Sequence, residues 1–216
     1  MRLVLILLLV VMAPSAMAGA WLQDHKKGFL SLGGVYDEQQ KAEGTLYAEY
    51  GVRPKLTLGL KVDGTMTQNQ LSSGTAFVFA RKPIPVGARS FKLAYELGVG
   101  STFGTDTDTL VRAAFSYGRG IKIGKRYGWI ALDTIAEIPT SEGTDTYKLD
   151  GTIGLTLNDH FKVMMQVFVS QSDSNVSNTF APSIIWQPGG NGPSYVAGLE
   201  DEDGLLALKL AIWTTF

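Results

Sequence analysis

The sequence predicts an all-β chain closed into a transmembrane antiparallel up-and-down β-barrel of about twelve strands, with ten as the alternative. Three observations predict it. Beyond residue 27, apolar residues recur at every second position in segment after segment, and hardly any stretch has helical spacing. Clusters of Gly, Asp, Asn, Thr and Ser interrupt the alternation about every dozen residues, as turns do in all-β chains. Acidic and basic residues sort onto alternate sets of connections, as the two ends of an even-stranded barrel would place them.

The chain opens on MRLVLILLLVVMAPSAMA. One positive residue, Arg2, precedes an apolar run from Leu3 to Met12, and a small-residue site follows at Ala16-Met17-Ala18. This is the pattern of a secretory signal over 1–18, leaving 19–216 as one domain that begins at Gly19. The run is too short for a permanent spanning helix. There is no Cys, so disulfides, thiolate catalysis, Cys-held metals and lipid attachment through an N-terminal Cys are all excluded. Lys and Arg number 19 against 20 acids, a balance that gives nucleic acid no electrostatic footing as a partner.

Each strand is read from its apolar face. Leu30, Leu32 and Tyr36 begin the series. Leu46, Ala48, Tyr50 and Val52 follow, then Leu56, Leu58, Leu60 and Val62. Phe91, Leu93, Tyr95, Leu97 and Val99 form the next regular face, and Ile130, Leu132, Ala136 and Ile138 another. The clearest are Tyr147, Leu149, Ile153, Leu155 and Leu157, and Phe161, Val163, Met165, Val167 and Val169. Weaker alternation places strands near 74–82, 109–122, 179–187 and 194–200. The last segment, 205–216, carries Leu206, Leu208, Leu210 and Ile212 before a final Phe216.

Period two does not say whether the apolar face points into a soluble core or out into lipid. The ending Leu208, Leu210, Ile212, Phe216 resembles the C-terminal signature of bacterial outer-membrane barrels, which the barrel-assembly machinery reads as an insertion signal; Thr214 is the weaker position in the series. Aromatics also lie at strand ends on the apolar face. Tyr50, Phe91, Phe161, Trp186, Tyr195 and Phe216 lie toward the termini, and Tyr36, Tyr147 and Phe180 toward the other end, as two interfacial girdles would. One set of connections (DEQQKAEG, DGTMTQNQLSSG, FGTDTDT, PTSEGTDT, SDSNVSN, EDEDG) is acidic and includes Asp63, Asp106, Asp108, Asp201, Glu202 and Asp203. The terminus-side set (RPK, RKPIPVGARS, GKRYG, NDH, PGGNGPS) is basic and includes Arg53, Arg81, Lys82, Arg89 and Arg126. These features together favour lipid outside and a polar lumen inside. Outer-membrane lipids and lipopolysaccharide are then the expected surroundings, with the termini periplasmic.

The face opposite the apolar one is the candidate lumen. It carries Glu49, Lys61, Lys92, Glu96, Arg112, Asp133, Glu137, Lys148, Asp150, Lys162, Glu200 and Lys209, interleaved with small residues suited to a crowded interior. A channel for anionic sugars would show an Arg- and Lys-dominated lumen. This balanced set suits a narrow path for neutral or zwitterionic solutes, and suits a cross-linked, filled barrel equally well.

Outer-leaflet enzymes need a His near the loop side. The two histidines, His25 and His160, both fall on the terminus side, which disfavours a lipid-modifying enzyme. Asp133 and Glu137, four apart on one face, read as salt-bridged packing rather than an acid–base pair. GVGSTFG and GRGIKIGK lack the strand–loop–helix context of a nucleotide site, and nothing else calls for a cofactor or metal. The acidic rim is a solvated surface, or a place where divalent cations bridge to lipopolysaccharide.

The stretches GAWLQ, LYAEYGVRPKLTLGL and YKLDGTIGLTLNDHFKVMMQVFVS resemble proteobacterial outer-membrane proteins grouped as transporters near aromatic-degradation pathways. The resemblance implies uptake of small solutes, apolar ones among them. It also implies an N-terminal segment in the lumen, for which Gly19–Lys27 is short. The expected function is thus a small-solute channel, with a filled structural envelope barrel as the alternative.

Overall fold

A computed structural model describes residues 19–67, 70–104, 107–189 and 192–216. Residues 1–18, which the sequence predicts to be a secretory signal, and Asp106 lie outside the described residues. The strands are β1 (Gly28–Asp37), β2 (Lys41–Arg53), β3 (Leu56–Thr67), β4 (Gln70–Ile84), β5 (Phe91–Gly104), β6 (Thr109–Ile123), β7 (Arg126–Pro139), β8 (Thr146–Thr156), β9 (Phe161–Ser172), β10 (Asn175–Trp186), β11 (Ser194–Glu202) and β12 (Leu205–Thr215). Each pairs antiparallel with its sequence neighbours, and β1 pairs with β12, so the sheet is a closed barrel of twelve strands.

Closure has a direct physical cause. Hydrocarbon offers no partner for a free N–H or C=O, so an open edge would leave a row of groups unpaired at several kcal/mol each. The seam meets this need over its whole length, from Phe29↔Thr215 to Asp37↔Ala207. Gly28 and Phe216 complete it with reciprocal backbone hydrogen bonds of 2.6 and 3.0 Å. A Cβ on Gly28 would meet the Phe216 ring at 2.3 Å, so only glycine lets that ring lie against the seam.

The faces divide as the alternation predicts. Leu208, Leu210 and Ile212 are each about half exposed on the outside, as are Leu97, Val99 and Ile184 on other strands, while Ala94, Ala131 and Ala181 are buried inside. Aromatics mark both rims: Trp186 packs on Tyr195 at 5.5 Å and Phe91 on Tyr117 at 5.7 Å near the terminus end, while Tyr36, Tyr147 and Phe180 stand exposed toward the other. Small lumenal residues make room for large ones opposite. A Cβ on Gly59 would strike the Phe79 ring at 2.1 Å, and one on Gly100 the Phe77 ring at 2.4 Å.

The connections are tighter than the sequence suggests on the acidic side. Residues 63–67 and 70–74 are strand, the segments around 172–178 and 200–204 are mostly strand, and turns of two residues join β9 to β10 and β11 to β12. Thr, Ser and Gly end the apolar alternation but keep the backbone ladder, as in Thr65↔Ser73 and Ser177↔Ser170. Asp203 and Gly204, with φ of 51° and 89°, supply the left-handed pair that a two-residue hairpin turn requires.

Candidate functional site in the lumen

A chain of alternating charges lines one wall of the barrel. Glu49 on β2, Arg81 on β4, Glu96 on β5, Arg112 on β6, Glu137 on β7 and Lys148 on β8 follow one another around it, three carboxylates matched by three cations. Arg81 donates to Glu96 through Nη2 at 2.6 Å and Nε at 3.1 Å, to Glu49 through Nη1, and to the Tyr47 hydroxyl at 3.0 Å. Tyr47 in turn donates to Glu49. Arg112 donates to Glu96 at 2.8 Å and to Glu137, and Lys148 donates to Glu137 at 2.7 Å.

Local sequence explains why these groups meet. β3 presents Thr57 and Gly59 between β2 and β4, small enough for Arg81 to reach across it to Glu49. Each guanidinium lies over an aromatic ring from β4, Arg81 over Phe79 at 5.1 Å and Arg112 over Phe77 at 5.5 Å. The rings exclude water from one face of the cation and attract it through their π-electrons. Burying charge is costly unless each ion is paired and hydrogen-bonded. Here each buried guanidinium divides its planar fork between two carboxylates, the geometry in which Arg binds best.

The other predicted lumen residues occupy separate positions. Lys61 pairs with Asp63 at 2.9 Å, and Asp63 also accepts from Thr45. Lys209 bonds Glu200 at 3.1 Å and Gln166 at 3.3 Å and lies over Phe168. Lys162 is buried on the lumen face of β9. Lys92 shares the inward face of β5 with Ala94 and Glu96 but is exposed near the terminus-side mouth. Asp133 and Asp150 face each other directly across β7 and β8. Neither takes part in any ion pair among the described residues.

Arg81 corrects the sequence reading, which places it in a terminus-side connection. It lies in β4 and is 6% exposed at the centre of the charge chain. The stretch Ala76–Ala80 puts Phe77 and Phe79 inside and Val78 outside, so apolar bulk occupies both faces and the alternation that would mark Arg81 as inward is lost. Asp63 is likewise a lumen residue of β3 rather than a loop acid. Tyr47 had one available signal, its parity with Glu49.

The segment before β1 enters the barrel. Lys26 and Lys27 exchange backbone hydrogen bonds with Gly51 at 2.8 and 2.9 Å. Gln23 donates its backbone N–H to Thr57 at 3.1 Å and its side-chain amide to Glu49 at 2.9 Å. Trp21 lies over Gly118 of β6, where a Cβ would come within 2.4 Å of the indole, and Ala20 is 2% exposed. Short as it is, Gly19–Lys27 thus crosses the lumen from the β2–β3 wall to the β6–β7 wall as a strap. The wall from β9 to β12 is apolar there, with Met164, Ile185 and Val196 buried against Trp129 and Trp213. A cavity of about 370 Å³ remains, bounded by the charge chain on one side and by Phe168, Val196 and Trp213 on another.

The two histidines lie at the terminus end. His25, near the β1 end of the strap, bridges to Gly51, and His160 Nδ1 lies 3.1 Å from the Gln187 carbonyl in a turn. Among the described residues no three acidic or His side chains converge as a metal site would require. On the rim, Asp201 and Asp203 accept backbone N–H groups from Gly204 and Asn178.

No family model matches the chain, and no curated protein matches it. Solved structures match its fold. A KdgM porin superposes with a TM-score of 0.66 at 11% identity, covering 87% of this chain and 99% of that one. A KdgM porin in complex with disordered oligogalacturonate gives 0.67 at 11% identity over 87% of this chain and 99% of that one. A NanC porin gives 0.62 at 10% identity, over 85% and 98%. The chain has the fold of the bacterial outer-membrane β-barrel porins.

Proposed function

We propose that this chain is an outer-membrane barrel that passes small, uncharged or zwitterionic solutes passively, with its termini on the periplasmic side. One observation carries the reading. Six lumen charges, from Glu49 to Lys148, neutralise one another along a continuous chain, while a cavity of about 370 Å³ stays open beside them. A polyanion such as oligogalacturonate, bound by one of the porins of like fold, calls for unopposed cations along its path. Arg81 and Arg112 are each held by two carboxylates instead. The aromatic and aliphatic wall opposite suits a solute with an apolar part. Both histidines lie far from the acidic loop side, so an outer-leaflet lipid-modifying role has no general base where it would need one. Outer-membrane lipids, lipopolysaccharide around the acidic rim and the barrel-assembly machinery are the partners this reading requires.

Liposome swelling tests it. Vesicles containing the protein should swell faster in a small neutral sugar or amino acid than in an oligogalacturonate of similar size. Equal swelling with the polyanion contradicts the proposed selectivity. The strap and the apolar packing at the terminus end favour a second reading, a filled barrel with a structural role. In planar bilayers, silence at every voltage would select that reading over conduction.

A further inference from the structure

We infer that the N-terminus created by removal of residues 1–18 is a working part of the lumen: the α-ammonium of Gly19 docks on the Asp133–Asp150 pair and latches the strap across the barrel. The inference rests on cleavage after Ala18 and on the position of Gly19, and is independent of whether the barrel conducts.

Gly19 lies at the far end of the strap, against β6 and β7. A Cβ built on it would lie 2.7 Å from Asp133 Oδ1 and 2.3 Å from Ser116 Oγ. With bonds of about 1.5 Å, the Gly19 nitrogen is then within about 5 Å of that carboxylate. Ser116 and Asp133 are register partners, and Asp150 faces Asp133 from the next strand. Two polar side chains therefore lie beside the place where a new amine would appear, and a third, Asp150, is the cross-strand partner of one of them.

The charge accounting points the same way. Arg81, Arg112 and Lys148 are committed to the chain of Glu49, Glu96 and Glu137, and Lys61 to Asp63. Two adjacent carboxylates, Asp133 and Asp150, are left facing each other across a rung without an ion pair among the described residues. Like charges directly opposite on neighbouring strands repel. A leader peptidase that hydrolyses the Ala18–Gly19 amide consumes one water, leaves a carboxylate on the leader and frees an amine on Gly19. That amine takes up a proton at neutral pH, since an α-amino group titrates near about 7.7–8.0. The resulting cation arrives where the lumen has an unmatched pair of acids. Before cleavage the same nitrogen is a neutral amide and carries no such charge.

The rest of the strap is built to deliver it. Gln23 is tied to Thr57 and Glu49, Lys26 and Lys27 to Gly51, and Trp21 is seated on Gly118. These contacts fix the direction of the segment, and its first residue, Gly19, meets the acids. The strap is thereby anchored at both walls.

The experiment measures acylation of the N-terminal amine by a small uncharged anhydride in the folded, detergent-solubilised protein. Peptide mass spectrometry separates this site from the lysines, and intact mass first establishes that Gly19 is the N-terminal residue. The folded protein should react roughly tenfold or more slowly than the urea-unfolded chain, because a paired lumenal ammonium is both shielded and held protonated. Asp133→Asn should remove most of that protection, and Asp24→Asn, whose carboxylate meets Lys27 outside the latch, should not. If Asp133→Asn does not fold, inserting one Ser after Ala18 displaces the ammonium and should likewise restore reactivity. A different N-terminal residue, equal rates in folded and unfolded protein, or protection that survives both variants would overturn the inference. Conductance plays no part in these readouts, so a silent barrel with a protected N-terminus would refute the channel and keep the latch.

Discussion

Glu96→Gln is the sharpest test of the lumen chemistry. Glu96 is 2% exposed and accepts three hydrogen bonds from two guanidiniums, at 2.6, 3.1 and 2.8 Å. The substitution keeps the shape but removes the charge that holds Arg81 and Arg112 side by side. Each arginine then keeps a single carboxylate, and two buried cations face each other with only a neutral amide between them. Removing one partner of a buried ion pair costs about 3–5 kcal/mol. The remaining links to Glu49 and Glu137 and any water admitted from the cavity soften this, so we expect a loss of about 3 kcal/mol. Urea unfolding in detergent micelles, followed by tryptophan fluorescence and by the gel shift on heating, measures it. Glu43→Gln is the control, because its pair with Lys41 is about two-fifths exposed and worth at most about 1 kcal/mol. A loss below about 1 kcal/mol for Glu96→Gln would show that the charge chain does not hold the barrel together.

Three further outcomes are expected. Leu210→Arg places a charge on the lipid face of β12 and should cost about 2–4 kcal/mol if it lies near the bilayer midplane, whereas Ala207→Ser, facing the lumen, should cost far less in the same unfolding assay. Gly154→Val would drive a side chain into the Trp129 ring, 2.0 Å from the Cβ position, and should cost about 1–3 kcal/mol with a shifted tryptophan emission maximum. Lys209→Glu would set a third acceptor beside Glu200 and Gln166, so reversal potentials across a salt gradient should move toward cation selectivity. Unchanged potentials would place Lys209 outside the conducting path.

The barrel was legible because lipid imposes a strict rule on one face only. Leu206, Leu208, Leu210 and Ile212 must all be apolar, and a run of such positions reveals both the strand and its outward side. Strand ends were less legible. Beyond the bilayer the ladder continues with Thr, Ser and Gly, which turns also favour, so Asp63 reads as a loop acid although it lies in β3. Arg81 was hidden for the opposite reason: Phe77 and Phe79 fill the lumen with apolar bulk and erase the alternation of β4. The lumen acids and bases were visible residue by residue. Their pairing was not, because Arg81 reaches Glu49 across β3, a contact set by barrel curvature and by the small Thr57 and Gly59 between them. The strap was the least legible element. Gly19–Lys27 shows no periodicity, and its place is fixed by single contacts such as Gln23 with Thr57 and Trp21 with Gly118.

Fold, lumen and strap all depend on which side of each strand meets lipid. The chain has no Cys, so a single spin-labelled cysteine can be moved along 205–215 without background. In reconstituted vesicles, labels at 206, 208, 210 and 212 should be relaxed mainly by oxygen dissolved in the bilayer, and labels at 207, 209 and 211 mainly by a water-soluble nickel complex. That two-residue alternation is the expected result. Uniform access to the nickel complex, or the reversed phase, would contradict a barrel with its leucines in lipid and its ions within.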